Sequence, residues 1–363
     1  MSTLGPILIM AGGTGGHVFP ALAVAVELRR AGRDVVWLGT RNGLEARVVP
    51  AAGIEVEWLT VGGLRGKGLV NWLFAPWRLL RSVFQAFRIV RRLKVSAVLG
   101  MGGYVSGPGG LAAWLLRRPL VIHEQNAIAG LTNRVLAHLA TDVLQAFPGT
   151  FEAVLRPRTV GNPVREDILR LESPRTRMHM RTGPTRVLVL GGSQGAAILN
   201  RVVPEAAAEV ALPIDIWHQS GERNLDTTRA AYREAGVSAR IDPFISDMAE
   251  AYGWADIVIC RAGALTVTEL ATAGVGAILI PFPAAVDDHQ TLNARHLSEN
   301  GAAVLLPQRE LTADALCRVL DELCADRIRL VAMAEEARQL ARPDATRLVA
   351  RACLACTGGE VAA

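Results

Sequence analysis

Ile7-Leu8-Ile9-Met10-Ala11-Gly12-Gly13-Thr14-Gly15-Gly16-His17 is a short apolar run that breaks on glycines and ends on a histidine. The recipe returns at Val187-Leu188-Val189-Leu190-Gly191-Gly192-Ser193-Gln194-Gly195. Each reads as a buried strand running through a tight loop into a helix. Glycine lets the backbone adopt positive φ and lets a ligand approach the bare main chain. The helix start behind it offers unpaired N–H groups and a positive dipole end, which suit a phosphate or another anion. Two such openings, about one domain length apart, predict a pair of nucleotide-fold domains.

The 363 residues suffice for two domains with proper cores. No uninterrupted apolar stretch reaches the roughly 18–20 residues of a membrane span. Met1-Ser2-Thr3-Leu4-Gly5-Pro6 lacks the basic and apolar regions of a signal peptide, which predicts a cytosolic chain. The five cysteines form no disulfide framework. Cys353 and Cys356 make a CxxC behind Cys317 and Cys324, but no second CxxC or histidine pair completes a zinc site. They read as small hydrophobes on helix faces.

The net charge of +5 matters less than its placement. Between Glu57 and Glu124 there is no carboxylate, while arginines and lysines alternate with Trp72, Phe74, Trp77, Leu80, Phe84 and Phe87. Pro76 suits the first turn of a helix. From Trp77 onward, steps of about 100° put Leu80, Val83, Phe84, Phe87 and Val90 on one face and Arg78, Arg81, Arg88 and Arg92 opposite. Such a segment either lies on an anionic membrane surface or packs one face on a sheet. No helix-turn-helix, zinc-finger or RNA-binding signature accompanies it, so nucleic acid is not the expected partner.

Apolar runs alternate with helical patterns, which predicts parallel sheets wound by helices. Strands are expected at 7–10, 35–38, 56–59, 97–99, 120–123 and 143–145, then at 187–190, 214–218, 240–242, 257–260, 277–280 and 303–306. Helices are expected at 21–31 and 267–273, among others. Prolines and glycines between Arg156 and Thr185 break the rhythm, so the connection is placed near Gly161–Arg165. The resulting division is 1–162, 163–341, and a final helix in 342–363 that returns to the first domain.

Neither glycine loop fits GxGxxG, and no Walker loop is present, which weakens dehydrogenase and ATPase readings. A third loop, Gly102-Gly103-Tyr104-Val105-Ser106-Gly107, also follows a predicted strand. Loops at the carboxyl ends of strands line the crevice where such sheets bind ligands. His17, at a helix start, is suited to proton transfer. His123-Glu124-Gln125-Asn126 stacks four polar residues on a strand end, which packing alone does not explain. Cys260-Arg261-Ala262-Gly263-Ala264 opens a helix whose amides suit a phosphate, with Glu269 placed to accept from a ribose diol. Asp287-Asp288-His289-Gln290 and Asn293 form another polar cluster. Adjacent residues rarely converge on one ion, so no metal site is assigned there.

With these pieces assembled, the chain resembles the MurG family of glycosyltransferases. The carriers are GGTGGHVFPALAVA, WLGT, GLRGKG, GMGGYVSGPGG, HEQNAIAGLTNR, GNPVR, GGSQGA, WHQSG, CRAGALTVTEL and DDHQTLNA, in that order. The resemblance implies an α/β GT-B fold, two Rossmann-like domains with doubly wound parallel sheets and a cleft between them. It implies N-acetylglucosamine transfer from UDP-N-acetylglucosamine to undecaprenyl-pyrophosphoryl-N-acetylmuramoyl-pentapeptide, inverting at the sugar, with no cofactor. The C-terminal domain would hold the donor and the N-terminal domain the lipid acceptor.

By the same resemblance, Ser193 and its loop would meet the diphosphate, Arg165 the nucleotide, and Ile245 the uracil through its backbone. Arg261, Ala264, Leu265, Thr266, Val267 and Thr268 would bracket the phosphate, Glu269 the ribose, and Gln290 and Asn126 the sugar. Thr14, Gly15 and Gly16 would approach from the acceptor side, with Gly103, Tyr104, Ser106 and Gly107 on the acceptor itself. His17 is the first candidate base and Glu124 the second. The implied setting is the cytoplasmic face of the anionic cell membrane, with cell-wall and division assembly proteins as partners. Gly276, Thr268 and His289 depart from the usual family residues, which touches only fine sugar contacts. A UDP-N-acetylglucosamine 2-epimerase and a non-catalytic sugar-nucleotide binding subunit are the alternatives.

Overall fold

Ile7–Met10 (β1) has no exposed side chain at any position, as expected of a parallel strand covered on both faces. In this computed structural model, which describes residues 5–60, 75–179, 181–192 and 196–358, the chain divides into two compact units. Unit 1 comprises Met1–Arg165 and Arg342–Ala363, and unit 2 comprises Glu166–Ala341.

Unit 1 is built on β1, β2 (Val35–Gly39), β3 (Glu55–Trp58), β4 (Ala97–Gly100), β5 (Leu120–Glu124), β6 (Asp142–Gln145) and β7 (Arg158–Thr159). They pair in parallel in the order β3-β2-β1-β4-β5-β6-β7. Unit 2 contains β8 (Thr185–Leu190), β9 (Ile214–Gln219), β10 (Arg240–Asp242), β11 (Ile257–Cys260), β12 (Gly276–Leu279) and β13 (Ala303–Leu305). Their order is β10-β9-β8-β11-β12-β13, again parallel. Both units therefore have the Rossmann order, which reverses beside β1 and β4 in one and beside β8 and β11 in the other. The expected doubly wound α/β architecture and all twelve expected strands are present. Among the described residues only β7 is an addition: two residues among prolines carry no periodic signal.

Alternation along β1 sorts the core of unit 1 into two layers. Ile7 and Ile9, with Val35 and Trp37, pack under the helix Gly15–Arg30 and the last helix, Ala345–Ala355. Leu8 and Met10, with Val36 and Leu38, pack under the helices Ala75–Leu93 and Ser106–Leu115. Val349, Ala350, Ala352 and Cys353 of the last helix are all buried there. At roughly 1.5–3 kcal/mol for a fully buried large apolar side chain, such a face holds a helix firmly. Burial pushes the Cys353 thiol well above its ordinary pKa, so it behaves as a hydrophobe.

The helix Gly15–Arg30 begins six residues before the expected position, right at the glycine loop. Pro20 lies in its second turn and removes only one N–H donor. The helix Ala75–Leu93 is oriented differently from the sequence expectation. Its buried stripe is Ser82, Ala86, Ile89 and Val90, and it packs against the helix Ser106–Leu115. Trp77, Leu80 and Phe84 stay 70, 63 and 64 % exposed. Phe87, expected on the outer apolar face, packs partly into the core.

Candidate functional site

The two glycine loops of unit 1 meet where the strand order reverses. Met101 N–H donates to the Met10 carbonyl at 2.9 Å. A Cβ on Gly103, whose φ is +83°, would lie 2.4 Å from the Gly12 carbonyl oxygen, so the contact requires glycine. Ser106 corrects one expectation. It is fully buried, and its hydroxyl donates to the carbonyls of Gly102 (2.8 Å) and Met10 (3.2 Å), tying the loops together rather than facing an acceptor. Tyr104 is exposed and Gly107 half-buried. Thr14 caps the helix with an extended backbone, and its carbonyl accepts from His17 and Val18 N–H; Gly15 and Gly16 form the first turn, half-buried.

Glu45, which no motif singled out, is fully buried at the start of the helix Glu45–Ala51. Its carboxylate accepts from Gly13 N–H at 3.0 Å, Thr40 N–H at 3.0 Å and the Thr40 hydroxyl at 2.7 Å. The first loop thus already binds an anion, supplied by the protein itself.

His17 is half-buried, with Nδ1 3.0 Å from Gln125 Oε1. Its ring lies against Gly102, where a Cβ would come within 2.7 Å of Nδ1. Glu124 is 2 % exposed and fully engaged. Oε1 accepts from the backbone (3.0 Å) and side-chain amide (3.1 Å) of Asn126, and Oε2 accepts from Gly130 N–H (3.2 Å) and Asn133 Nδ2 (2.9 Å). Four donors fill the acceptor sites of a carboxylate, so Glu124 organises the loop that carries Asn126 and is poorly placed as a base. Arg165, at the end of unit 1, is half-buried.

His123 is fully buried beside this cluster, with Nε2 2.9 Å from the Gly161 carbonyl. Desolvation pulls its pKa from 6.5 down to about 4, partly offset by that hydrogen bond. In unit 2, burial brings His218 to about 3, between Tyr232 OH and Asn200 Oδ1. Both histidines take up a proton near pH 6.5 when unfolded but resist it when folded. The unfolded state therefore binds more protons below pH 6.5, and stability falls as pH drops from 6.5 toward 4. At 1.36 kcal/mol per pKa unit, His123 alone is worth about 3 kcal/mol across that window. The urea midpoint is expected to fall markedly between pH 7 and 4.5; a constant midpoint would show that neither imidazole stays neutral on folding.

In unit 2, Gly191 N–H donates to the Gln219 carbonyl and Gly192 takes φ +77°; Ser193 lies outside the described residues. After β11, Gly263 caps the helix Ala264–Ala273 with an extended backbone. The first-turn amides, Ala264, Leu265 and Thr266, are those an α-helix leaves without internal acceptors. Val267 is buried, and the Thr268 hydroxyl turns back to the Ala264 carbonyl at 2.9 Å. Glu269 is buried, its Oε2 accepting from Tyr252 OH at 3.0 Å. Asn293 Nδ2 donates to the Ala262 carbonyl just before the helix.

Arg261 is committed elsewhere than expected. Its guanidinium donates to the carbonyls of Ile280 and Pro281 and to Gln308 Oε1, and lies 5.4 Å from the Phe282 ring centre, so it shapes that loop. Gln290 Oε1 accepts from Phe282 N–H at 2.9 Å. Ile245 N–H donates to Gln219 Oε1 at 3.1 Å. Asp287 and Asp288 both have positive φ, and among the described residues no three metal-ligating side chains gather.

The outer side of the helix Ala75–Leu93 borders a surface cavity of about 860 Å³ toward β3. Arg81, Arg88, Arg91, Arg92 and Lys94 line it against one carboxylate, Glu57, which pairs with Arg92 at 2.7 Å. Trp72 and Phe74 lie outside the described residues. Among the described residues no helix is long and apolar enough to cross a membrane.

Comparison with known proteins fits this geometry. Residues 7–145 match the glycosyltransferase family 28 N-terminal domain and residues 186–349 the family's C-terminal domain. The UDP-N-acetylglucosamine–N-acetylmuramyl-(pentapeptide) pyrophosphoryl-undecaprenol N-acetylglucosamine transferase of Nitrosococcus oceani is 56% identical over 355 residues, 97% of this chain and 99% of its own. The protein of the same name from Alkalilimnicola ehrlichii is 59% identical over 355 residues, 96% of this chain and 98% of its own. The crystal structure of Acinetobacter baumannii MurG superposes with a TM-score of 0.86 at 44% identity, covering 97% of this chain and 99% of its own. A UDP-glucose:anthocyanidin 3-O-glucosyltransferase in complex with UDP shares the fold, with a TM-score of 0.72 at 14% identity. With both domains matched in order along nearly its whole length, the chain belongs to glycosyltransferase family 28, in its MurG branch.

Proposed function

We propose that the chain transfers N-acetylglucosamine from UDP-N-acetylglucosamine to the 4-hydroxyl of undecaprenyl-pyrophosphoryl-N-acetylmuramoyl-pentapeptide, inverting the anomeric centre. The observation that carries this reading is one prepared site per unit at each reversal of strand order. Unit 1 offers His17 with a positioned ring, and unit 2 offers a helix start followed by a buried ribose-type carboxylate. Identity of 56 and 59% over nearly the whole chain with transferases of that name supports the substrates.

In the reaction the acceptor oxygen forms a bond to C1 of the sugar while the bond from C1 to the diphosphate oxygen breaks. The hydroxyl proton passes to His17 Nε2. The electron pair leaves on UDP, whose growing charge meets the amides at Ala264–Thr266. Thr14, Gly15, Gly16 and Tyr104 serve the acceptor, and Asn126, Arg165, Ile245 and Gln290 the donor. Labelled donor mixed with the lipid-linked muramoyl-pentapeptide is expected to give a labelled disaccharide lipid. UDP release without acceptor would favour the epimerase, and donor binding without product the binding subunit.

The same reading makes the protein a peripheral one at the cytoplasmic face of the cell membrane, held through the helix Ala75–Leu93. Exposed Trp77, Leu80 and Phe84 stand beside the arginines of the cavity, the combination that binds anionic bilayers. Replacing these three with serine is expected to cut pelleting with anionic vesicles at least about tenfold, since each buried CH₂ is worth about 0.8 kcal/mol. Turnover of a soluble acceptor is expected to survive. Unchanged pelleting would refute the membrane role; Phe87 is left alone because it supports the core.

A further inference from the structure

Beneath His17 lies a chain of polar groups whose proton positions are decided at its ends by two backbone carbonyls. Met101 O can only accept, and Gln125 Nε2 lies 3.0 Å from it, so that end of the amide is the NH₂. The same NH₂ is 3.3 Å from His123 Nδ1, which must therefore be the bare nitrogen of that ring. His123 then carries its proton on Nε2, 2.9 Å from the Gly161 carbonyl, which again can only accept. Both ends agree, and burial keeps His123 neutral, with its pKa lowered to about 4. With its NH₂ committed, the amide turns Oε1 toward His17 Nδ1 at 3.0 Å, and an oxygen there requires a proton on Nδ1.

We propose that Gln125 is the positioning residue that holds neutral His17 as the Nδ1–H tautomer, leaving Nε2 bare to take the acceptor's proton. This rests on the reading of His17 as the base. Two features make the hold tight. Gly102 packs against the imidazole with φ +94°, where a side chain would collide with the ring. The Gln125 backbone is fixed in turn, its carbonyl accepting from Asn162 Nδ2 at 3.0 Å. A free neutral imidazole prefers the opposite tautomer, with Nε2 protonated, which cannot act as base from that nitrogen. The fold thus selects the form that solution disfavours. An amide does this without placing a second buried charge beside His17, as a carboxylate would.

Long-range ¹H–¹⁵N spectra of the full chain read the tautomer of each histidine directly, with His17→Gln assigning the signal among seven. In the unsubstituted protein, neutral His17 is expected to show a protonated Nδ1 and a bare Nε2. A dominant Nε2–H form would overturn the proposal with no further variant needed. In the near-isosteric Gln125→Met, the His17 signal is expected to move toward the Nε2–H form. With it, kcat should fall at least roughly 10- to 100-fold, the usual loss on removing a supporting partner, while donor KM holds. Retention of the Nδ1–H form in Gln125→Met would remove Gln125 from the role. A tautomer change with undiminished kcat would leave the positioning intact and overturn His17 as the base.

Discussion

His17→Ala is expected to lower kcat by about 10²- to 10⁴-fold, the usual contribution of a positioned general base. The affinity for UDP-N-acetylglucosamine should change by less than about twofold, because His17 makes none of the donor contacts proposed here. The separation follows from where His17 stands. Its backbone opens the helix Gly15–Arg30, its ring rests on Gly102, and its Nδ1 is occupied by Gln125. Only Nε2 has no partner among the described residues, so a side chain with so little structural duty is removed at small cost to the fold. Kinetics with saturating acceptor, beside calorimetric titration of the donor, measure both quantities. Equal losses in rate and donor affinity would make His17 a substrate-positioning residue.

Glu269→Ala should act on the other half of the reaction. Two hydroxyls donating to one carboxylate make charge-assisted hydrogen bonds, and loss of such a bond is worth about 1.5–3 kcal/mol. Donor KM is therefore expected to rise roughly 10- to 150-fold with a smaller change in kcat. Tyr252→Phe removes only the hydroxyl that donates to the carboxylate at 3.0 Å and should cost less than the Glu269 variant. A donor lacking the ribose 2′-hydroxyl separates ligand contact from damage to the fold. It should bind the unsubstituted protein much more weakly than the natural donor, yet bind Glu269→Ala almost as the natural donor does. Equal discrimination by both proteins would take Glu269 away from the ribose.

The fold was legible because parallel strands covered on both faces are written as continuous apolar runs, and Ile7–Met10 and Ile257–Cys260 are such runs. Strand β7 was illegible because its two residues pair only through β6, a partner named by no local pattern. The face of the helix Ala75–Leu93 was legible only in part. Periodicity grouped Phe87 and Val90 with Leu80 and Phe84, but the buried stripe runs through small Ser82 and Ala86 to Val90 and draws Phe87 partly into the core, leaving Trp77, Leu80 and Phe84 outside. At the site, a strand end followed by glycine or polar residues is a local signal, and it is what drew His17 and Glu269 into the proposal. Their supports could not be found that way. Gln125 reaches His17 from 108 positions away, Glu45 reaches Gly13 from 32, and Tyr252 reaches Glu269 from 17. Gln125 stood inside a polar cluster that signalled importance without saying toward what. Glu45 stood in none of the motifs read from the sequence.

That buried carboxylate bears on how many nucleotides the chain can carry. Two Rossmann-type units with two glycine loops would ordinarily provide two seats for a phosphate. In unit 1 the Gly13 amide is already spent on Glu45, and a phosphate entering there would meet a buried negative charge. To bind, it would have to expel a carboxylate held by three hydrogen bonds and leave that charge uncompensated. One internal anion thus breaks the symmetry of a repeated fold, and the expected stoichiometry is one nucleotide per chain, with the first unit left for a different substrate.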